Sequence, residues 1–213
     1  RTEPLQLSLD DDADDGVEGE GDNILQDVER LIGGSGPDHM RGSSADNDID
    51  GGAGDDDIDG MMGDDVLRGG AGDDTFSSAT EGDGADFIEG GAGMDVMSYA
   101  GRTQGIIGTL CTADLSVEDC NPGACVCPAD DGAPDEGDRI VNIEILHGTE
   151  GNDHLVGTVG DDVFYGYGGD DDMQGLEGND SLYGDEGDDW LDGATGDDFL
   201  DGAFGDDLFD AGA

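Results

Sequence analysis

From Gly148 to Asp210 one large apolar side chain returns at every ninth position: Leu155, Phe164, Met173, Leu182, Leu191, Leu200 and Phe209. Glycine and acidic residues fill most of the space between them. This interval matches neither helical nor extended-strand periodicity. One inward side chain per nonapeptide makes a core only where successive units stack and pool those side chains. The pattern therefore predicts a solenoid. Positions seven to nine of each unit form a very short strand with its middle residue inward, positions one to six turn the chain, and two units close one coil.

The units read GTEGNDHLV, GTVGDDVFY, GYGGDDDMQ, GLEGNDSLY, GDEGDDWLD, GATGDDFLD and GAFGDDLFD. Position one is always glycine. So is position four, at Gly151, Gly160, Gly169, Gly178, Gly187, Gly196 and Gly205. Position six is always aspartate, at Asp153, Asp162, Asp171, Asp180, Asp189, Asp198 and Asp207. Glycine at one and four is expected where a positive φ or a close backbone approach penalises a Cβ. Stacking at roughly 4.8 Å lines the position-six carboxylates up in columns. Such columns repel unless neutralised, and Ca²⁺ accepts both carboxylates and the carbonyls that a glycine turn exposes.

A more eroded block precedes this one. GGSGPDHMR, GSSADNDID, GGAGDDDID, GMMGDDVLR and GGAGDDTFS run from Gly33 to Ser77; after three extra residues EGDGADFIE and GGAGMDVMS resume from Glu81 to Ser98. Asp38, Asp56, Asp65, Asp74, Asp86 and Asp95 hold position six, and Gly36, Gly54, Gly63 and Gly72 position four. Ala45 and Asn47 replace a glycine and an aspartate, and Ser78 to Thr80 break the register, so weaker or missing calcium is expected around Asn47 and beside that break.

Both blocks resemble the GGxGxDxUx nonapeptide of the RTX, or hemolysin-type, calcium-binding family. The resemblance implies an all-β fold, a right-handed parallel β-roll (a β-helix solenoid) in two duplicated repeat blocks. It also implies Ca²⁺ held between turn n and turn n+2 by position-six aspartates and turn carbonyls, and folding that waits for extracellular calcium. The metal-site residues carried over are the position-six aspartates and position-four glycines named above.

The chain divides into an N-terminal strand and lead-in coil (1–32), a first roll block (33–98), a connector (99–147) and a second roll block (148–213). Leu5, Leu7 and Leu9 alternate as in a half-buried strand. Residues 14–32 have a twin in 130–146, so the whole chain reads as an internal duplication. Ile24, Val28 and Leu31, and likewise Ile140, Ile143 and Leu146, are expected to fill an irregular first coil, with a short amphipathic helix as the competing local reading. The connector carries a cysteine-rich insertion (111–127) with Cys111, Cys120, Cys125 and Cys127. Two local disulfides, in any of three pairings, are expected; a zinc or redox site is the alternative, though the spacing fits no common zinc knuckle. Oxidised cysteines would place the chain in an extracellular setting.

Charge narrows the partners. The chain carries 57 acidic against 6 basic residues, a net charge of −51, with 42 glycines. That balance argues against nucleic acid or an anionic membrane as partner and for cations. Without metal, self-repulsion is expected to keep the chain expanded, making Ca²⁺, on the order of ten ions, the folding switch. No apolar run is long enough to span a bilayer, and any export signal is expected to have been removed or to lie outside this sequence. No hydrolase, kinase or metalloprotease motif is present, so the expectation is no enzyme. His39, His147 and His154 show no metal-binding spacing, and Trp190, Tyr165, Tyr167 and Tyr183 read as surface cover or, as a second reading, a carbohydrate patch. Three functions compete. The first is a structural or adhesive protein, secreted or on a bacterial cell surface, that meets surface or matrix components. The others are a self-assembling head-to-tail filament subunit and the secretion and folding module of a larger toxin or hydrolase.

Overall fold

In the computed structural model, residues 1–10, 15–17, 22–78, 81–111, 132–133 and 136–212 are described. Among them every regular element is a strand. In chain order these are β1 (Gln6–Ser8), β2 (Arg30–Ile32), β3 (His39–Arg41), β4 (Asp48–Ala53), β5 (Asp57–Asp59), β6 (Val66–Ala71), β7 (Thr75–Ser77), β8 (Phe87–Ala92), β9 (Val96–Ser98) and β10 (Ile107–Thr109). The second half adds β11 (Arg139–Val141), β12 (Ile145–His147), β13 (His154–Val156), β14 (Val163–Tyr165), β15 (Asp172–Gln174), β16 (Ser181–Tyr183), β17 (Trp190–Asp192), β18 (Phe199–Asp201) and β19 (Leu208–Asp210). They form a parallel β-solenoid with two faces. One face is a nine-stranded sheet, β1, β3, β5, β7, β9, β12, β14, β16, β18. Opposite lie two five-stranded sheets, β2, β4, β6, β8, β11 and β10, β13, β15, β17, β19.

The register puts each position-eight residue on its counterpart in the next coil. On the long sheet Leu7, Met40, Ile58, Phe76, Met97, Leu146, Phe164, Leu182 and Leu200 form one unbroken column. On the opposite face Leu31, Ile49, Leu67, Ile88 and Ile140 form a second column, and Leu155, Met173, Leu191 and Phe209 a third. Inward side chains are fully or nearly fully buried, except at the last coil. The long sheet passes from β9 to β12 without interruption, so both repeat blocks wind about one axis.

The duplication is visible in the coordinates. Leu5 N–H donates to Asp38 Oδ1 (2.7 Å) as Ile106 N–H donates to Asp153 Oδ1 (2.8 Å). Gln6 pairs with Gly16 as Ile107 pairs with Gly132. Yet β3 lies in the nine-stranded sheet, whereas its twin β13 lies opposite. The two copies are thus offset by half a coil. Ile140, Ile143, Leu146 and Leu31 are buried, while Ile24 and Val28 pack on the core in part. The lead-in segments adopt strands and turns, and the helical reading does not hold among the described residues.

The connector winds out of order. After β9 the chain places β10 against β13, then returns to lay β11 on β8, and Cys111 bridges to Val141 between them. Arg102 fixes this joint with its side chain wholly buried. Its Nε donates to the Ser78 carbonyl (2.7 Å), Nη2 to Asp83 Oδ1 (2.7 Å) and Nη1 to Glu136 Oε2 (2.6 Å). The Tyr99 ring lies 4.8 Å beneath the guanidinium, and its hydroxyl donates to Asp138 Oδ2 at 2.8 Å.

Candidate metal centre

The position-six side chains sit at the end of a turn, immediately before a strand, and most of the aspartates accept a backbone N–H from one coil back. In the first block Asp38 N–H donates to Asp56 Oδ1 (2.8 Å), Asp56 N–H to Asp74 Oδ1 (2.8 Å) and Asp74 N–H to Asp95 Oδ1 (2.9 Å). On the other face Asn47 N–H donates to Asp65 Oδ1 (2.7 Å) and Asp65 N–H to Asp86 Oδ1 (2.9 Å). The second block repeats this through Asp153, Asp171, Asp189 and Asp207, and through Asp162, Asp180 and Asp198. Two acids outside the motif extend the columns through the connector. Asp138 Oδ1 accepts from Asp86 N–H and Glu144 Oε2 from Asp95 N–H, each at 2.9 Å. Both directly precede a strand, the one sequence signal that could have marked them.

The second carboxylate oxygen tells more. Oδ2 of Asp56, Asp65, Asp74, Asp95, Asp171, Asp180, Asp189 and Asp198 is buried without a hydrogen-bond partner. A buried unpaired carboxylate oxygen is costly unless a proton or a cation meets it. Position-one glycines show why the space exists. A Cβ at Gly51 would collide with Asp56 Oδ2 and come within 2.8 Å of the Gly69 carbonyl oxygen; at Gly166 the neighbours are Asp171 Oδ2 and, at 2.8 Å, the Gly184 carbonyl oxygen. Each cradle is thus lined by oxygens of two successive coils, the donor set of a hard divalent cation. Among the described residues no three His, Cys, Asp or Glu side chains converge, so main-chain carbonyls must supply part of any such shell.

Turn conformation divides the units into two kinds. In the third and later regular units of each block position two is left-handed: Gly52, Met61, Gly70, Gly91, Tyr167, Leu176, Asp185, Ala194 and Ala203 have φ between 55° and 121°. In the first two units it is not, and there the position-two N–H closes onto the carboxylate or amide. Gly34 N–H donates to Asp38 Oδ2 (2.6 Å), Ser43 N–H to Asn47 Oδ1 (2.8 Å), Thr149 N–H to Asp153 Oδ2 (2.7 Å) and Thr158 N–H to Asp162 Oδ2 (2.6 Å). The Thr149 and Thr158 hydroxyls add a second bond. Orphaned oxygens therefore occur only where position two is left-handed.

Position four behaves as its glycines suggest. Gly54, Gly63, Gly72, Gly169, Gly178, Gly187, Gly196 and Gly205 have positive φ, and a Cβ on any of them would strike the turn backbone one coil earlier. Gly36, Gly151 and Gly160 begin their columns without positive φ. Position five, which the sequence reading left unused, forms a second ladder on the turn surface. Asp161 Oδ1 accepts from Asn179 N–H (2.7 Å) and Asp170 Oδ1 from Asp188 N–H (3.0 Å).

Burial drives the electrostatics. Desolvation pushes Asp171 up to about 8, Asp65, Asp74, Asp86 and Asp138 to about 7, and Asp95 and Asp162 to about 6, against the pull of the backbone N–H each accepts. Asp56, Asp153, Asp180 and Asp189 are raised for the same reason. His39 pairs with Asp57 and His154 with Asp172 on the outer faces. Tyr165 and Tyr183 stack on each other, centroids 4.9 Å apart and 6° from parallel, so their rings cover one another. Cys111 is buried; Cys120, Cys125 and Cys127 lie outside the described residues.

Stacked turns with oxygen-lined cradles and orphaned carboxylate oxygens define a cation-binding parallel β-roll. Residues 26–58, 51–79, 82–100, 147–182 and 183–213 match the family described as RTX calcium-binding nonapeptide repeat (4 copies), and the chain belongs to that family. It is a Ca²⁺-binding β-roll protein. No curated protein matches it. Among the described residues no helix is long and apolar enough to cross a membrane.

Proposed function

We propose that this chain is a calcium-folded structural element of an extracellular bacterial protein, a stiff acidic spacer or adhesive segment without catalysis of its own. The observation that carries this reading is the row of buried, unpartnered Oδ2 atoms running inside the turns. A chain of net charge −51 cannot stack these carboxylates without counter-charge at neutral pH. Ca²⁺ at the left-handed turns supplies it; Asp56, Asp65, Asp74, Asp86, Asp95, Asp171, Asp180, Asp189, Asp198 and Asp207 are the proposed ligands, with turn carbonyls. The closed first two turns of each block already satisfy Asp38, Asp153 and Asp162, so these contribute less. A disulfide at Cys111 belongs to this reading and would fit an oxidising location.

The test is a calcium titration followed by circular dichroism and by bound-metal analysis, with EDTA reversal and a magnesium control. A calcium-specific gain of β signal is expected, with fewer ions bound by Asp180→Asn and an unchanged count in Asp162→Asn. No gain of β signal on adding calcium would overturn calcium folding. Equal ion loss in both variants would overturn the division between turns.

A further inference from the structure

On the nine-stranded side the acid column of the first block does not stop where the nonapeptide does. Asp56 shows what a complete cradle contains. Its Oδ2 is orphaned beside Gly51, the Gly69 carbonyl of the next coil faces the same space, and Asp74 reaches back to accept the Asp56 N–H. Gly90, the last position-one glycine of the block, has matching surroundings. A Cβ on it would collide with the Asn142 carbonyl oxygen and come within 2.6 Å of Asp95 Oδ2. Asp95 is wholly buried, and that oxygen has no hydrogen-bond partner. Glu144 stands in the place of Asp74, its Oε2 accepting the Asp95 N–H at 2.9 Å.

Asn142 and Glu144 belong to no repeat: the family match stops at residue 100 and resumes at 147. The turn between β11 and β12 is residues 142–144, three residues where the turn between β14 and β15 takes six, 166–171. Asn142 makes this short reversal at φ 50°, a left-handed conformation that asparagine tolerates. Glu144 brings a side chain one methylene longer than aspartate to the shortened turn. Its backbone is held on both sides. The N–H groups of Glu144 and Ile145 donate to the Asp95 carbonyl (3.2 and 3.0 Å), and the Glu144 carbonyl accepts from Val163 N–H (2.9 Å). The neighbouring column closes differently at the same joint. There both Asp138 oxygens are met, by the Asp86 N–H and the Tyr99 hydroxyl, and Arg102 supplies the positive charge to Asp83 and Glu136.

We propose that the joint holds a Ca²⁺ ion of its own, bound by Asp95 Oδ2, the Asn142 carbonyl and the Glu144 carboxylate, with water and turn carbonyls completing the shell. The site rests on the calcium-roll reading and adds two ligands that no nonapeptide supplies. Without the ion, two carboxylates meet at this spot with a buried oxygen uncompensated, which costs stability. With it, the turn that opens β12 is tied to the last turn of the first block. β14 stacks on β12, so the ion fixes the seat on which the nine-stranded face of the second block continues. One column thus closes on a built-in arginine and the other on a cation.

Equilibrium dialysis of the full chain against about 1 mM Ca²⁺ with bound-metal analysis tests this, with circular dichroism on the same samples. Glu144→Gln keeps an oxygen for the Asp95 N–H but loses the charge, and it should bind one ion fewer than the wild type at an unchanged β signal. Glu144→Asp keeps the charge but loses reach, and it should hold the ion about tenfold more weakly. Glu89→Gln, on the outer face beside Arg68, should match the wild type. If Glu144 served only as a hydrogen-bond acceptor, the Gln variant would bind the full count, and that result overturns the site. Should the Gln variant lose β signal, a calcium midpoint for Glu144→Asp equal to that of the wild type overturns it as well. Wild-type protein that binds no calcium overturns the calcium-roll reading itself, so the two failures are told apart.

Discussion

Replacing Leu182 by alanine separates the work of the core from that of the ions. Leu182 is fully buried, held between Phe164 and Leu200 in the long column. Truncating such a side chain costs roughly 3 kcal/mol, because coils fixed on both sides cannot collapse into the gap. Four orphaned position-six carboxylate oxygens of the second block, on Asp171, Asp180, Asp189 and Asp198, mark turns whose ions should bind in one transition with folding. Spread over about four ions, that cost corresponds to roughly half a decade in calcium concentration. The folding midpoint in a calcium titration should therefore rise about three- to fourfold, while the number of ions bound at saturation stays the same. Isothermal titration read beside circular dichroism measures both quantities. An unshifted midpoint would mean that the inward column does not limit folding. A lost ion with an unshifted midpoint would mean that core and turns are not separable in the way the register implies.

Three further outcomes are expected. Leu176→Gly relieves a leucine held at φ 80°, and thermal unfolding in calcium should show a gain of about 1 kcal/mol, less whatever Leu176 gives by surface packing. Arg102→Ala leaves Asp83 and Glu136 buried without their cation, and a loss of about 3 kcal/mol or more should appear as separate melting of the two blocks in calorimetry. The third concerns pH. Carboxylates pushed up to about 6 to 8 in the fold bind protons that the unfolded chain, near 3.8, releases. The stability of the metal-free roll is then greatest below the unfolded value and is lost as pH rises through the folded values. In EDTA the β signal should be larger near about pH 4 than near about pH 8. In limiting calcium the order should reverse, since protons and Ca²⁺ compete for the same oxygens; a β signal in EDTA that rises with pH would refute this.

Much of the roll was legible because its period is carried by residues that physics leaves little choice about. Position eight marks the core, and the observed columns use that residue at almost every coil. Position six marks the carboxylate ladder, and its aspartates meet coil to coil. What stayed hidden has physical reasons. Asp138 and Glu144 lie where the nonapeptide lapses, so nothing but their place before a strand connects them to the ladder. Position two carries Tyr167, Leu176, Asp185 and Ala194 in a conformation that favours glycine. A sequence pattern that looks for glycine there sees only erosion, while neighbouring coils hold the backbone in place. The half-coil offset follows from an odd number of half-coils in the first copy, and the out-of-order placement of β10 arises from long-range pairing that no local signal encodes.

That placement decides how the molecule holds together. Each coil of a solenoid touches only its neighbours, so two independently wound blocks would meet through one pair of strand edges and could fray there. Here the segment that completes the opposite face of the second block, β10, is laid down before β11, which closes the first block. The chain must therefore satisfy both blocks in one excursion, from Tyr99 to Leu146. Arg102, Tyr99 and Asp138 lie within that excursion; Arg102 reaches Ser78 and Asp83 of the first block, and Asp138, held by the Tyr99 hydroxyl, accepts the Asp86 N–H. Loosening the end of one block removes support from the beginning of the other. The joint thus ties the two repeat arrays into one continuous solenoid, which the proposed spacer role would require.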